Sequence, residues 1–520
     1  MLFSSALFVY VFLPAVVAGF YILGHRRPRV YAKWFLIVAS LAYYASWSVG
    51  YVPFFVGSVI ANYHLGAAIS AATGRTRRSY FALGVGLNLV VLGYFKYFNF
   101  FIDNVNLLIE RPLSLEAIVL PVGISFYTFR QISFLSDQHR GRYGTQDTTL
   151  LDYVLFVGVF PHLLAGPITT YRELAPQLND RTFGRLKNAN LLIGLGLFFV
   201  GLFKKVVVAD NLALYSAPVF SVAASGSDVA FATAWSGALV FTFQMYFDFS
   251  GYSDMAVGTA RMLGLKLPGN FYSPLKATST IDFWRRWHIT LGRFITAEIF
   301  LPLNLVFARV AARHFGTPAG AFAVASGIPT MITFVLVGLW HGAGWPFIVF
   351  GIMHGLFMVV NLAWRRLGRT YRSLRMPDLV NWLVTFVTLV LSLAVFGAPD
   401  LSSGVRLLAS MCSPDIAGTS QALVEFTSRA LDLSNWLLFH KFGFEQYLVL
   451  AAIIALGLPN VAQVLWKYSP YLLPLEMKAD ARAWTLRWRP NWAGLAVLAA
   501  LSVVALLNMT GSNAFLYFQF

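Results

Sequence analysis

The chain has 520 residues, of which 58% are hydrophobic and only 12% charged, and its formal net charge is +17. A soluble domain carries about 25% charged residues. The deficit, together with apolar windows of roughly 20 residues, excludes a soluble fold and implies an all-α polytopic membrane protein. Basic residues fall in short loops between apolar runs, as in loops held against an anionic cytoplasmic leaflet. Nucleic-acid binding, the other reading of such a charge, has no recognised module here.

In chain order, membrane segments are predicted near 2–23, 34–49, 53–72, 80–101, 115–135, 190–209, 229–247, 321–340, 346–363, 379–397, 447–465 and 491–509. The first run lacks a basic leader and is followed by His25-Arg26-Arg27-Pro28-Arg29, so it reads as a retained helix with its N-terminus outside. Cytoplasmic loops are expected at Arg75-Thr76-Arg77-Arg78, at His139-Arg140-Gly141-Arg142 and at 365–375, which holds five arginines and no acid. The stretch 401–445 balances Arg406, Arg429 and Lys441 against Asp415, Glu425, Asp432 and Glu445, which suits the outer face. Twelve crossings place both termini outside, within a single membrane domain over 1–520.

Two regions do not fit simple crossings. Residues 150–169 are apolar but broken by Pro161, His162, Gly166 and Pro167, which predicts a re-entrant hairpin buried in protein. In 279–315, Ser279-Thr280-Ile281-Asp282 predicts a capped helix start. Phe283, Trp284 and Trp287 there alternate with Arg285, Arg286 and His288, which predicts an amphipathic helix at the cytoplasmic interface or packed within the protein mouth. The single cysteine, Cys412, excludes an intramolecular disulfide and is expected to be a small buried hydrophobe.

The chemistry-bearing residues are few. His341, in Gly338-Leu339-Trp340-His341-Gly342, ends an apolar run, where an imidazole costs free energy unless it is paired. Histidine is also the side chain best suited to exchange a proton near neutral pH. His288 lies 53 residues earlier, so only the fold can bring the two together; a histidine beside tryptophan is more often structural. His354 can approach His341 across the intervening turn, although a structural role is the ordinary reading. Asp248 and Asp254, in the Gln244–Asp254 patch, read either as polar groups at a helix end or as the mouth of a substrate channel. No nucleotide-binding loop, GxSxG elbow or metal-ligand spacing is present. That inventory fits group transfer from an already activated donor.

Phe283-Trp284-Arg285-Arg286-Trp287-His288 followed by Gly338-Leu339-Trp340-His341-Gly342 resembles the paired signature of the membrane-bound O-acyltransferase family. Pro121-Val122-Gly123-Ile124-Ser125-Phe126-Tyr127-Thr128-Phe129, Ala165-Gly166-Pro167-Ile168, the Asp248–Asp254 patch and the closing Phe515–Phe520 resemble its bacterial branch. Within that branch the likeness is strongest to alginate O-acetylation membrane proteins and weaker to the D-alanine transfer proteins of teichoic acids. Pro161-His162 stands where polysaccharide-acetylating relatives often carry Gln, a departure that bears on fine specificity.

The resemblance implies about 11–13 transmembrane helices, with re-entrant and amphipathic helices around an internal funnel or tunnel. It implies His341 as the catalytic base and His288 as a second catalytic residue. Trp284, Arg285 and Arg286 would attract the headgroup of an acetyl-coenzyme A donor, although Arg285, Arg286 and Arg293 read equally as membrane anchors. Asp248, Asp254 and Trp340 would line the substrate channel. No metal or bound cofactor is implied. Membrane lipid, a periplasmic SGNH-type acetyltransferase and a polysaccharide acceptor are the implied partners, in a bacterial cytoplasmic membrane. The competing readings are a flippase or transporter whose histidines relay protons, and a scaffold for an exporter.

Overall fold

The computed structural model describes residues 1–109, 113, 115–142, 148–371, 376–432, 442–473, 477–478, 487–509 and 515–516. Arg372, Arg375, Lys441 and the closing Tyr517, Phe518, Gln519 and Phe520 lie outside the described residues. The described chain is helical throughout, apart from an isolated bridge between Pro268 and Leu472. Eight helices among the described residues are long and apolar enough to cross a membrane. They are Leu7–Arg26, Val49–Ala71, Gly74–Asn106, Asn188–Ala224, Ile289–His314, Pro318–His341, Trp345–Gly368 and Asp378–Phe396. The protein is therefore an all-α, multi-pass membrane protein.

Several expected crossings take other forms. The run 115–135 has no helix before Ile124, because Pro121 and Gly123, the latter at φ 77°, interrupt it. The Ile124–His139 helix has 16 residues, about 24 Å at 1.5 Å per residue, short of a ~30 Å hydrocarbon core. Every residue from Ile124 to Gln138 is buried, so protein surrounds it rather than lipid. The run 447–465 yields the shorter Phe444–Gly457 helix, stopped ahead of Pro459, and 491–509 yields Trp492–Leu507. Conversely, most of the expected amphipathic stretch 279–315 is the spanning-length helix Ile289–His314. Cys412 is exposed rather than buried, because the Leu401–Met411 helix ends just before it.

The chain divides into two compact units. The first comprises Met1–Leu202, Tyr252–Asn270 and Val461–Met509. The interrupted region 150–169 lies in it as two short buried helices, Leu150–Gly158 and Phe160–Leu163. Buried Arg130 donates to the carbonyls of His162 (2.7 Å) and Leu163 (3.0 Å), satisfying backbone groups that the break at Pro161 frees. Lys33 pairs with Asp152 at 2.5 Å, so this buried cation and anion offset each other.

The second unit comprises Phe203–Gly251, Phe271–Asn460 and Thr510–Phe520. Its centre is the hairpin of Ile328–His341 and Trp345–Thr370. A Cβ on Gly338 would fall 2.2 Å from the Phe347 carbonyl oxygen, and one on Gly351 would fall 2.4 Å from that of Phe334. Only glycine lets the two backbones approach this closely, the packing mode of small residues between membrane helices. The signature glycine Gly338 thus sets the register of the hairpin that ends in Trp340 and His341.

Candidate active site

All the residues of the paired signature lie in the second unit. The Ser279 hydroxyl accepts from the Asp282 amide at 3.1 Å and caps the short Thr280–Arg286 helix. That helix stops at Trp287. His288 then takes the left-handed conformation, φ 42° and ψ 52°, before the chain re-enters a helix at Ile289. A non-glycine residue in this region costs about 1–2 kcal/mol. Such strain persists where surrounding structure fixes it, often at functional sites. His288 is fully buried, with its ring edge-on to Phe249 at 4.8 Å between centroids.

His341 closes its helix and is buried among aromatic rings: Trp340 at 4.9 Å, Phe396 at 5.3 Å and Phe350 at 5.9 Å. The Trp340 ring also packs on His288 at 5.7 Å, so one indole stands between the two signature histidines. The loop charges lead one to expect the histidines at different depths. The reason they meet is that Ile289–His314 is itself a full-length helix running antiparallel to Pro318–His341, tied to it where Asn304 donates to the Ala325 carbonyl. His288 starts one helix and His341 ends the next, so both lie at the same end.

His341 faces a narrow cavity of about 20 Å³ walled by Met245, Phe249, Trp284, Trp287, Phe350 and Phe396, among others, and among the described residues it is the one ionisable side chain in the lining. The lining is aromatic and aliphatic, so bulk water gains little by entering.

Trp284, expected near the donor, is a wall of this cavity, and its indole N–H donates to His354 Nδ1 at 3.2 Å. Ser392 donates to the Leu389 carbonyl at 2.9 Å, which leaves its oxygen to accept from His354 Nε2, also at 2.9 Å. This chain of bonds assigns the Nε2–H tautomer to His354. Both of its nitrogens are therefore committed. The Phe350 ring packs on His354 at 4.4 Å as well as on His341. His354 therefore holds the cavity wall rather than joining His341 directly.

Arg285 and Arg293 are exposed, and Arg286 is half-buried in an ion pair with Asp282 at 2.9 Å, with its guanidinium 6.0 Å from the Tyr272 ring centre. Asp248 is buried with both oxygens engaged. Oδ1 pairs with Lys205 Nζ at 2.6 Å, and Oδ2 accepts from the Leu516 amide at 3.0 Å. Lys205 also bonds Asp210 at 2.8 Å. Asp248 thus anchors the C-terminal segment one residue from Phe249, a cavity wall. Asp254 belongs to the first unit, where it accepts from the Tyr471 hydroxyl at 2.5 Å. Sequence reasoning missed Lys205 and Asp210. The signal was available, since a lysine inside an apolar run calls for an anionic partner. Phe350 and Phe396 carried no signal beyond hydrophobicity.

Residues 77–396 match the membrane-bound O-acyltransferase family. The chain is similar to the peptidoglycan O-acetyltransferase of Helicobacter pylori, 36% identical over 462 residues that cover 83% of this chain and 84% of that one. It is similar along the whole of both chains, at 33% identity over 533 residues, to a probable alginate O-acetylase AlgI of Pseudomonas putida. A more distant likeness, 27% over 294 residues, covers 53% of this chain and 68% of the teichoic acid D-alanyltransferase of Streptococcus thermophilus. The matched family region includes the capped Trp284 helix, the strained His288 and the hairpin that presents His341. The chain belongs to the membrane-bound O-acyltransferase family and is an acyl-transferring enzyme.

Proposed function

We propose that this enzyme moves an acetyl group from a cytoplasmic thioester donor, acetyl-coenzyme A in the simplest case, toward O-acetylation of a polysaccharide outside a bacterial cytoplasmic membrane. The observation that carries the reading is His341, the one ionisable side chain on an otherwise apolar cavity. In this reading His341 accepts the proton of an acceptor hydroxyl as its oxygen attacks the thioester carbonyl. The tetrahedral intermediate collapses with cleavage of the C–S bond, and the departing thiolate takes the proton. An ester and a free thiol result, and the imidazole returns to its starting state. A positioned base of this kind contributes about 10²–10⁴-fold. The aromatic lining disfavours water, the competing nucleophile.

The printed names of the relatives, a peptidoglycan O-acetyltransferase and probable alginate O-acetylases, support a sugar hydroxyl as the final acceptor. Arg285 and Arg293, exposed near the cavity wall formed by Trp284, have the charge to attract the donor's phosphates. A periplasmic SGNH-type acetyltransferase would receive the acetyl group where the polymer does not reach the cavity itself.

The test is His341→Ala in cells and in purified protein. Polymer acetylation and transfer from labelled acetyl-coenzyme A should fall by at least about 100-fold while protein abundance in the membrane holds. Transfer at the wild-type rate would reject His341 as the base.

A further inference from the structure

A second cavity lies in the first unit, with about 270 Å³ of space and a lining unlike that of the first. Four cations, Arg185, Lys187, Arg261 and Lys266, face it against a single carboxylate, Asp180. Its frame is built from specific bonds. The Gln177 side chain accepts from the Lys266 amide at 2.8 Å and donates to the Lys266 carbonyl at 2.9 Å, clamping the turn after the Arg261 helix. Asp180 accepts from the Thr182 amide at 2.6 Å, and Lys187 donates to the Thr182 hydroxyl at 2.9 Å. Arg261 is 6% exposed, and its Nε–H is buried with no hydrogen-bond partner among the described residues. A buried donor left in that state costs free energy. Burial and the neighbouring Arg261, Lys187 and Lys478 push the Lys266 ammonium pKa down, a sign of crowded like charge.

We infer that this cavity is a seat for a phosphate-bearing ligand. Phosphate oxygens accept several charge-assisted hydrogen bonds at once and offset clustered cations, as no neutral ligand does. The space admits a phosphate group and the atoms next to it. Gly184 on its wall packs so closely on Gly24 that a Cβ on Gly24 would fall 2.4 Å from the Gly184 carbonyl oxygen. Gly24 directly precedes the basic loop His25–Arg29, which loop charge assigns to the cytoplasmic side. The seat therefore opens where soluble phosphoesters and anionic headgroups are both present. The inference does not rest on the chemistry proposed for His341.

The test uses the full-length protein in nanodiscs and the double variant Arg185→Gln with Lys266→Gln. Arg185 is exposed and Lys266 half-buried, and among the described residues neither makes a side-chain ion pair. Adenosine 3′,5′-bisphosphate is titrated against adenosine, and nanodiscs of phosphatidylcholine are compared with nanodiscs containing phosphatidic acid. Saturable binding of the bisphosphate, at least tenfold weaker in the double variant and absent for adenosine, identifies a soluble phosphoester as the ligand. Enrichment of phosphatidic acid around the wild-type protein that the double variant loses identifies a lipid headgroup. His341→Ala should leave either result unchanged. If the double variant matches the wild type for both probes, or adenosine competes as well as the bisphosphate, the inference is overturned.

Discussion

At the scale of single residues, the two signature histidines differ in what they demand of the backbone. His341 ends its helix in ordinary geometry, whereas His288 sits at φ 42° and so combines a ring requirement with a conformational one. The two can be separated by substitution. Asparagine tolerates the left-handed region, so His288→Asn should fold and accumulate with heat stability within about 1 kcal/mol of wild type while transfer falls at least tenfold. His288→Ala keeps the strain that His288 already bears but removes its buried ring, so it should lose transfer and also about 2 kcal/mol or more of stability from the cavity left behind. Acetyl transfer and thermal inactivation in detergent, measured on both variants, check this. Full transfer by His288→Asn would reduce His288 to a structural turn. His354 shows the opposite case, a histidine whose two nitrogens are spent on Trp284 and Ser392. Hydropathy alone does not tell it from His341, which the Gly338–Gly342 motif singles out; the partners of His354 show the wall support.

At the scale of elements, the Ile328–His341 and Trp345–Thr370 hairpin decides where His341 points. Its register depends on the contact of Gly338 with the Phe347 backbone, which has no flexible end to move aside. Gly338→Ala should therefore cost about 1–3 kcal/mol and shift His341 relative to the cavity. Gly344→Ala, where the nearest atom to a new Cβ is a Phe347 ring carbon at 3.4 Å, should be nearly silent. A heat-inactivation series on the two variants measures the difference, and equal effects would disprove the close-packing account. The element scale is also where sequence reading went astray. The Ile124–His139 run is apolar because it is enclosed by protein, and hydropathy does not distinguish enclosure by protein from enclosure by lipid. The Ile289–His314 run carries enough arginine near its ends to look interfacial, yet its length carries it through a membrane-thick layer.

At the scale of the whole molecule, the proposed reaction draws its free energy from the donor's own thioester, and the sequence carries no nucleotide-binding loop. The competing carrier reading depends instead on a proton gradient. Transfer from labelled acetyl-coenzyme A should therefore proceed in detergent, and in cells a brief protonophore pulse should change the acetylation rate less than twofold while donor levels hold. Loss of transfer on gradient collapse at constant donor would favour a proton-coupled carrier.

The sequence by itself determined the class of the molecule. Hydropathy reads as membrane helices because lipid tolerates few charges, and long motifs such as Phe283–His288 and Gly338–Gly342 identify a family even when their residues are far apart in the chain. Tertiary structure decided which of those residues act together. The contact of Trp340 with His288 as well as His341, the Lys205–Asp248 pair and the bonds of His354 all depend on contacts between residues distant in sequence. Such contacts follow from helix length, register and close backbone approach, and local periodicity specifies none of these across a turn.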